Sequence, residues 1–304
     1  MRKLGWSTMT QVLDKLAYLA VSVAARIAGD AQRCPSCGAQ KSHEVSAKYL
    51  VTTLRRCAQC QLLFRAPIDQ EGKATRFYNK GYRSGFTTEL PSHEVLSGYL
   101  ETGFTGTPKD FRRYIKLLDA LEVAHGARVL DLGCSWGYGA WQFQQAGYEV
   151  TGLEVGAARA TYAREKLGID TATALEQIQG TFDVIFSSHV LEHIAELADV
   201  LQWCEQRLTA EGLFVAVTPN GSNSFRQRSP KQWDRLWGAV HPLFLDEVFW
   251  QNQCRSKSFL ITSNLGDTDT LRRWSKARGQ KTGSLGGWEL LVIYRNQSPP
   301  YSAV

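Results

Sequence analysis

Residues 129–139 read Val129-Leu130-Asp131-Leu132-Gly133-Cys134-Ser135-Trp136-Gly137-Tyr138-Gly139. A short apolar run ends in an acidic residue. A glycine-studded turn follows, and Ala140 to Ala146 is compatible with a helix. Glycine serves where backbone turns tightly or approaches a ligand closely, because it has no Cβ to clash. A turn between a strand and a helix N-terminus leaves backbone N–H groups unpaired and turned toward a polar or anionic ligand. Twenty-three residues beyond Asp131, a second strand-like run, Glu149 to Leu153, ends in Glu154. An acidic residue at the tip of the second strand suits bonding to ribose hydroxyls.

The glycine spacing is not that of the dinucleotide fingerprint G-x-G-x-x-G. It resembles the first motif of class I S-adenosylmethionine-dependent methyltransferases, [D/E]-x-G-x-G-x-G. Asp131, Gly133 and Gly137 match, and Ser135 stands where the middle glycine is usual. Downstream, Phe182-Asp-Val-Ile-Phe-Ser-Ser188-His189-Val-Leu-Glu-His193-Ile194 is similar to a segment at strand four of many small-molecule members. The resemblance spans residues 108–265. It implies S-adenosyl-L-methionine as cofactor, bound by Asp131, Gly133, Ser135, Gly137, Glu154 and Ser188, with Glu154 on the ribose and the turn around the methionine end. The family's usual acidic contact to adenine has only Glu176 or backbone near Ala174 to supply it. A doubly wound domain for another nucleotide is the competing reading.

Strands and helices alternate outward from this motif: Arg128–Leu132, Trp136–Ala146, Glu149–Leu153, Ala157–Leu167, a third strand near Ile169–Ala172, Phe182–Ser187, Ile194–Leu208 and Leu213–Thr218. Such alternation predicts an α/β fold with a doubly wound, mostly parallel sheet. Ligands bind such sheets beyond the carboxyl ends of their strands. Phe111–Ala124 has helical periodicity. By resemblance, Ser258–Asn264 and Trp288–Tyr294 form an antiparallel final pair.

Cys34-Pro-Ser-Cys37 and Cys57-Ala-Gln-Cys60 are nineteen residues apart. That is the spacing of a four-cysteine zinc ribbon, with two knuckles completing a tetrahedron. A redox pair is the alternative, and a doubled C-x-x-C favours metal. The site leaves no position for water, so the Zn(2+) is expected to be structural. Leu62–Pro67, Phe77-Tyr78 and Gly81-Tyr82 extend the likeness to zinc-ribbon methyltransferases of sugar and natural-product pathways. The deoxysugar C-methyltransferases of that group carry a further C-terminal domain, for which too few residues remain here. The expected division is an amphipathic helix in 1–30, the ribbon in 31–67, a linker with short helices in 68–110, and a methyltransferase domain in 111–304 with an acceptor lid at 219–242.

A sulfonium methyl is already activated, so the protein mainly aligns an acceptor, excludes water and removes a proton from a hydroxyl. His189 and His241 are the candidate bases, since imidazole titrates near working pH. His193 lies four residues after His189, one helical turn on, and is expected to share a face with it and to bond a neighbouring loop rather than take a proton. In the lid, Arg226, Arg228, Lys231, Trp233, Arg235 and Trp237 can grip phosphate and stack on a sugar. The competing reading is a solvated loop with core tryptophans. Leu271–Lys281 is a second basic stretch.

The 304 residues carry 35 basic and 29 acidic side chains, and the net charge of +6 permits an anionic partner without requiring one. Val12, Leu13, Leu16, Leu19, Ala20, Val23 and Ile27 mark the N-terminal helix, which packs on the body or touches a membrane surface weakly. No apolar run is long enough for a membrane span. Thiolate ligands and this cofactor fit a cytoplasmic protein better than a secreted one. The expected reaction is methyl transfer to a small or glycosidic acceptor, with a sugar hydroxyl favoured. The alternatives are an RNA methyltransferase gripping its substrate with the ribbon, and a non-catalytic cofactor-binding scaffold. No N/D-P-P-Y/F segment follows strand four, and no Pro-Cys nucleophile appears, which argues against nucleic acid.

Overall fold

The computed structural model describes residues 33–48, 52–67, 89–238 and 241–296. The N-terminal helix expected in 1–30 and residues 68–88 of the linker lie outside them. In chain order the elements are β1 (Ser42–Lys48), β2 (Thr52–Cys57), β3 (Leu63–Ala66), α1 (His93–Glu101), α2 (Arg112–Ala120), β4 (Arg128–Leu132), α3 (Tyr138–Gln145), β5 (Glu149–Leu153), α4 (Ala157–Leu167), β6 (Asp170–Ala172), β7 (Phe182–Ser188), α5 (Leu197–Arg207), β8 (Leu208–Pro219), α6 (Asn223–Arg228), α7 (Pro230–Arg235), β9 (Leu243–Phe244), α8 (Glu247–Gln253), β10 (Phe259–Thr262), α9 (Thr268–Ala277), β11 (Gln280–Thr282) and β12 (Glu289–Arg295).

Eight strands form the main sheet in the order β11-β10-β12-β8-β7-β4-β5-β6. From β8 to β6 the neighbours are parallel. Strand β12 inserts antiparallel between β8 and β10, as expected for the final pair. The central strands read as nearly unbroken apolar runs because helices cover both faces. Side chains alternate between those faces: Leu130 and Leu132 join one buried cluster, and Val129 joins the other with Tyr114, Leu117 and Leu118 of α2. The order reverses beside β4, between β5 and β7. That is where an open α/β sheet leaves a crevice at its carboxyl edge.

A second, four-stranded antiparallel sheet has the order β1-β2-β3-β9. Its last strand comes from well beyond the expected ribbon. Leu63 pairs with Phe244 and Phe64 with Leu243, and Arg65 N–H donates to Pro242 O at 2.7 Å. Arg56 forms an ion pair with Asp246, which is 1% exposed at its side chain and also caps α8 by accepting from Phe249 N–H. Lys48 donates to the main-chain oxygens of Asp234 and Trp237 and sits over the Trp237 ring. Phe225, Trp233 and Trp237 are buried against Leu54, Leu63 and Phe244. The described part of the expected lid is therefore anchored on the small sheet, with its tryptophans in the core.

Candidate active site

The glycine turn links β4 to α3. Gly133, Ser135 and Gly137 all have left-handed backbone, with φ of 84°, 54° and 88°. Ser135 adopts the conformation that a glycine would hold without steric cost, and left-handed backbone at a non-glycine residue costs about 1–3 kcal/mol. At Gly133, a Cβ would lie 2.3 Å from Val190 Cγ2, so the turn and the segment after β7 interlock only without a side chain. Gly137 starts α3 and packs against Ala163.

A cavity of about 1040 Å³ opens at the carboxyl ends of β4, β5 and β7. Gly133, Ser135, Glu154, Ser188, His189 and His241 line it, with His193 beside them. Asp131 and Gly137 are buried and do not line it. Asp131 is 3% exposed, and burial pushes its carboxyl up to about 7, against a bond from the Ala140 backbone and with a push from Glu154. Glu154 Oε1 accepts from Gly156 N–H at 2.6 Å and from Arg159 Nη2 at 2.7 Å. Glu176 and Ala174 do not line the cavity among its described residues.

His189 also has left-handed backbone, at φ 56°, and a short 3-10 turn, Leu191–His193, follows it. His189 and His193 therefore do not share a helical face. The α-helix of this stretch starts only at Leu197. His189 lies between two carboxylates: Nε2 is 2.9 Å from Glu289 Oε1 and Nδ1 is 3.5 Å from Glu192 Oε1. Burial disfavours its charged form, but these carboxylates outweigh burial and lift its pKa to about 9. At neutral pH it is an imidazolium, which is a poor proton acceptor. Arg113 grips Glu289 with both terminal nitrogens, at 2.7 and 2.8 Å, and Trp288 stacks on the His189 ring.

Glu192 is fully buried, with His189 Nδ1 3.5 Å from its Oε1. Burial would raise its pKa, yet His189, His193 and His241 together hold it below the ordinary value. The His193 and His241 rings meet edge to face with centroids 4.8 Å apart. His241 Nδ1 lies 2.7 Å from Leu236 O. A carbonyl only accepts, so Nδ1 carries a proton.

Glu289, Arg113 and Glu192 escaped sequence reasoning. Glu289 offered one signal, an acid heading the apolar run Leu290–Tyr294. Glu192 sat inside the quoted segment, but nothing there told a buried carboxylate from a solvated one. The lid cations do not meet expectation either. Among the described residues, none of Arg226, Arg228 and Arg235 lines the large cavity. Arg226 lies over Trp233, and Arg228 lines a separate cavity of about 400 Å³. The arginine and lysine side chains that line the large cavity are Arg112, Arg113, Lys116 and Arg159.

The four ribbon cysteines come together as expected. Their sulfurs all lie within 4.8 Å of one another, with Cys34–Cys60 at 3.6 Å and Cys37–Cys57 at 3.5 Å. Four thiolates about 2.3 Å from a tetrahedral ion have sulfurs about 3.8 Å apart. Backbone N–H groups of Gln59 and Cys60 point at Cys57 Sγ, which suits a charged sulfur. The donor set therefore fits a zinc ion. The described residues include no helix long and apolar enough to cross a membrane.

Comparison with known proteins adds to this picture. The family described as "Methyltransferase domain" matches residues 108–279. The ubiquinone biosynthesis O-methyltransferase of Pseudomonas aeruginosa is 26% identical over 172 residues, covering 53% of this chain and 68% of the relative. That of Roseobacter denitrificans is 34% identical over 130 residues, covering 40% and 50%. Among solved structures, magnesium protoporphyrin IX methyltransferase from Synechocystis with bound S-adenosylmethionine is 15% identical with a TM-score of 0.46, covering 75% of this chain and 98% of its own. A TehB-like S-adenosylmethionine-dependent methyltransferase from Corynebacterium glutamicum is 19% identical with a TM-score of 0.44, covering 67% and 96%.

Proposed function

The chain belongs to the methyltransferase-domain family of S-adenosylmethionine-dependent enzymes, and from that premise we propose that it methylates a hydroxyl of a small or glycosidic acceptor, a sugar hydroxyl in glycan or natural-product assembly. One observation carries the reading. A single cavity runs from the glycine turn and Glu154 to a wall of imidazoles around Glu192. The first end suits a nucleoside and the second suits an oxygen that must lose a proton.

In this proposal Glu154 binds the ribose hydroxyls through Oε2, while Gly156 and Arg159 hold Oε1. The backbone of Gly133 and Ser135 borders the methionine end. Asp131 and Gly137 support the turn, and Ser188 lies at the tip of β7 near the methyl group. His189 is a fixed cation that orients an acceptor oxygen. Proton removal falls to the His241, His193 and Glu192 wall. The acceptor oxygen bonds to the methyl carbon as the carbon–sulfur bond breaks, and that electron pair stays on sulfur. The exposed Trp288 ring at the mouth suits the apolar face of a sugar, and Arg112 and Lys116 suit an anionic group on it. The ribbon holds structural zinc, and its thiolates fit a reducing compartment such as the cytoplasm.

The test is incubation with methyl-labelled cofactor and fractionated cell extract. Label is expected in glycan or nucleotide-sugar fractions. Label confined to RNA would favour the nucleic-acid alternative, and absence of label from every fraction would favour a scaffold.

A further inference from the structure

We propose that the cavity of about 400 Å³ beside Trp288 is a second acceptor subsite, in which Arg228 holds a carboxylate or phosphate carried on the sugar unit next to the one methylated. The inference deepens the proposed function and rests on its sugar acceptor. The Trp288 side chain is 53% exposed, and it lines both this cavity and the large one. An acceptor seated in the large cavity therefore meets the second one across a single indole. The volume falls within the roughly 300–1,000 Å³ of small-ligand sites.

The loop that bears Trp288 is fixed by hydrogen bonds of its own. Ser263 N–H and Oγ both donate to Ser284 O, at 2.7 and 2.9 Å, and Ser263 Oγ accepts from Gly287 N–H at 2.9 Å. The buried Asn220 side chain donates to Leu285 O at 2.8 Å and to Gly287 O at 2.7 Å, and Asn220 N–H donates to Trp288 O at 2.9 Å. A Cβ at Gly287 would lie 2.9 Å from Ser263 O, so glycine lets the loop close on the end of β10. The indole is thus presented by a set backbone, and a ligand that stacks on it orders little else.

Arg228 is the one charged side chain lining the second cavity among the described residues. In the large cavity, Arg112, Arg113 and Arg159 are each paired with a carboxylate, of Asp110, Glu289 and Glu154. Among the described residues Arg228 forms no ion pair, and no Asp or Glu lines its cavity. A Cβ at Gly286 would lie 3.0 Å from Arg228 Nη1, so a bare backbone there leaves room for the guanidinium. Gln232, Asn264 and Ser284 add amide and hydroxyl groups that suit sugar hydroxyls. An unpaired guanidinium among neutral hydrogen-bonding groups, beside an exposed indole, matches an anionic sugar.

The test is an NMR titration of the full chain, with isotope-labelled tryptophan and saturating S-adenosylhomocysteine, at neutral pH. The Trp288 indole N–H signal, assigned through Trp288→Phe, is followed as methyl glucuronide, glucosyl phosphate or neutral methyl glucoside is added. At least one of the two anions is expected to bind about tenfold more tightly than the glucoside, and the tighter one names the group that the subsite takes. Arg228→Gln is expected to bring all three within about twofold, with S-adenosylhomocysteine affinity within about threefold of wild type as evidence that the fold persists. Equal binding of the three sugars by wild type would overturn the proposal. So would a Trp288 signal that neither anion moves, or an anion preference that survives in Arg228→Gln. No methyl group is transferred in this titration, so its failure leaves the proposed reaction standing. Label confined to RNA would instead remove the proposed reaction and leave an Arg228-dependent anion site.

Discussion

Glu289 ties His189 to Arg113 at the mouth of the cavity: its Oε1 lies 2.9 Å from His189 Nε2, and its two oxygens lie 2.7 and 2.8 Å from the guanidinium. With Glu192 on the other side, this contact keeps His189 charged, with a pKa near 9. Glu289→Gln removes one of the two carboxylates, so the His189 pKa is expected to fall toward its ordinary value of about 6.5. Imidazole resonances followed by NMR across pH would report it. The folded-state pKa is raised, so the stability it contributes is complete below pH about 6.5 and is lost as pH rises through about 9. Wild-type melting temperature should therefore fall over that window more than that of His189→Asn. Parallel pH profiles would contradict the charged assignment.

Gly133→Ala places a methyl group 2.3 Å from Val190 Cγ2 at a φ of 84°. Overpacking costs about 1–3 kcal/mol, and the left-handed conformation adds about 1 kcal/mol. The variant is expected to melt several degrees lower and to bind S-adenosylhomocysteine at least tenfold more weakly. Adding Val190→Ala should recover part of both losses. No recovery would mean that the interlock does not set the shape of the turn.

Glu154→Ala removes a carboxylate in the cavity wall, and Asp131→Ala removes a buried one at the end of β4. Bonds to a charged group contribute about 1.5–3 kcal/mol, so Glu154→Ala should weaken cofactor binding by about 10- to 100-fold. Asp131→Ala should also weaken it, by loosening the turn. Zinc content should stay at the wild-type level in both. Calorimetry with S-adenosylhomocysteine, beside metal analysis, checks this, and undiminished affinity in both variants would refute the placement of the cofactor.

Stripping zinc with a thiol-reactive reagent, or substituting Cys37→Ser, should lower the melting temperature and shift tryptophan fluorescence. Trp233 and Trp237 pack on the sheet that the cysteines anchor. Cofactor affinity should change by less than about threefold, since Gly133 and Glu154 stand on the other sheet. A large loss of cofactor affinity would show that the buried cluster shared by Cys34, Cys57, Cys60, Leu132 and Leu153 carries the loss of metal into the cofactor turn.

The parallel half of the sheet was legible because its signals are local: apolar runs, a glycine turn, and acids at strand ends. The four cysteines were legible from spacing alone. Strand β9 was not, because two residues carry no periodicity and their partners lie some 180 positions upstream, at Leu63 and Phe64. The base assignment turned on burial and charge. His189 reads as an ordinary titrating histidine until Glu192 and Glu289 are seen on either side of it. The lid arginines read as anion ligands of the large cavity until Trp233 and Trp237 are seen buried, turning that segment toward the small sheet.

The short strand that completes the cysteine-bearing sheet comes from the chain between β8 and β10 of the main sheet, so the N-terminal module is no portable cassette. A chimera that grafts residues 31–67 onto another enzyme of this kind must carry Pro242–Phe244 with it, or the graft will present an open, adhesive edge. Shuffling between relatives should tolerate crossovers that move both segments together and reject those that separate them.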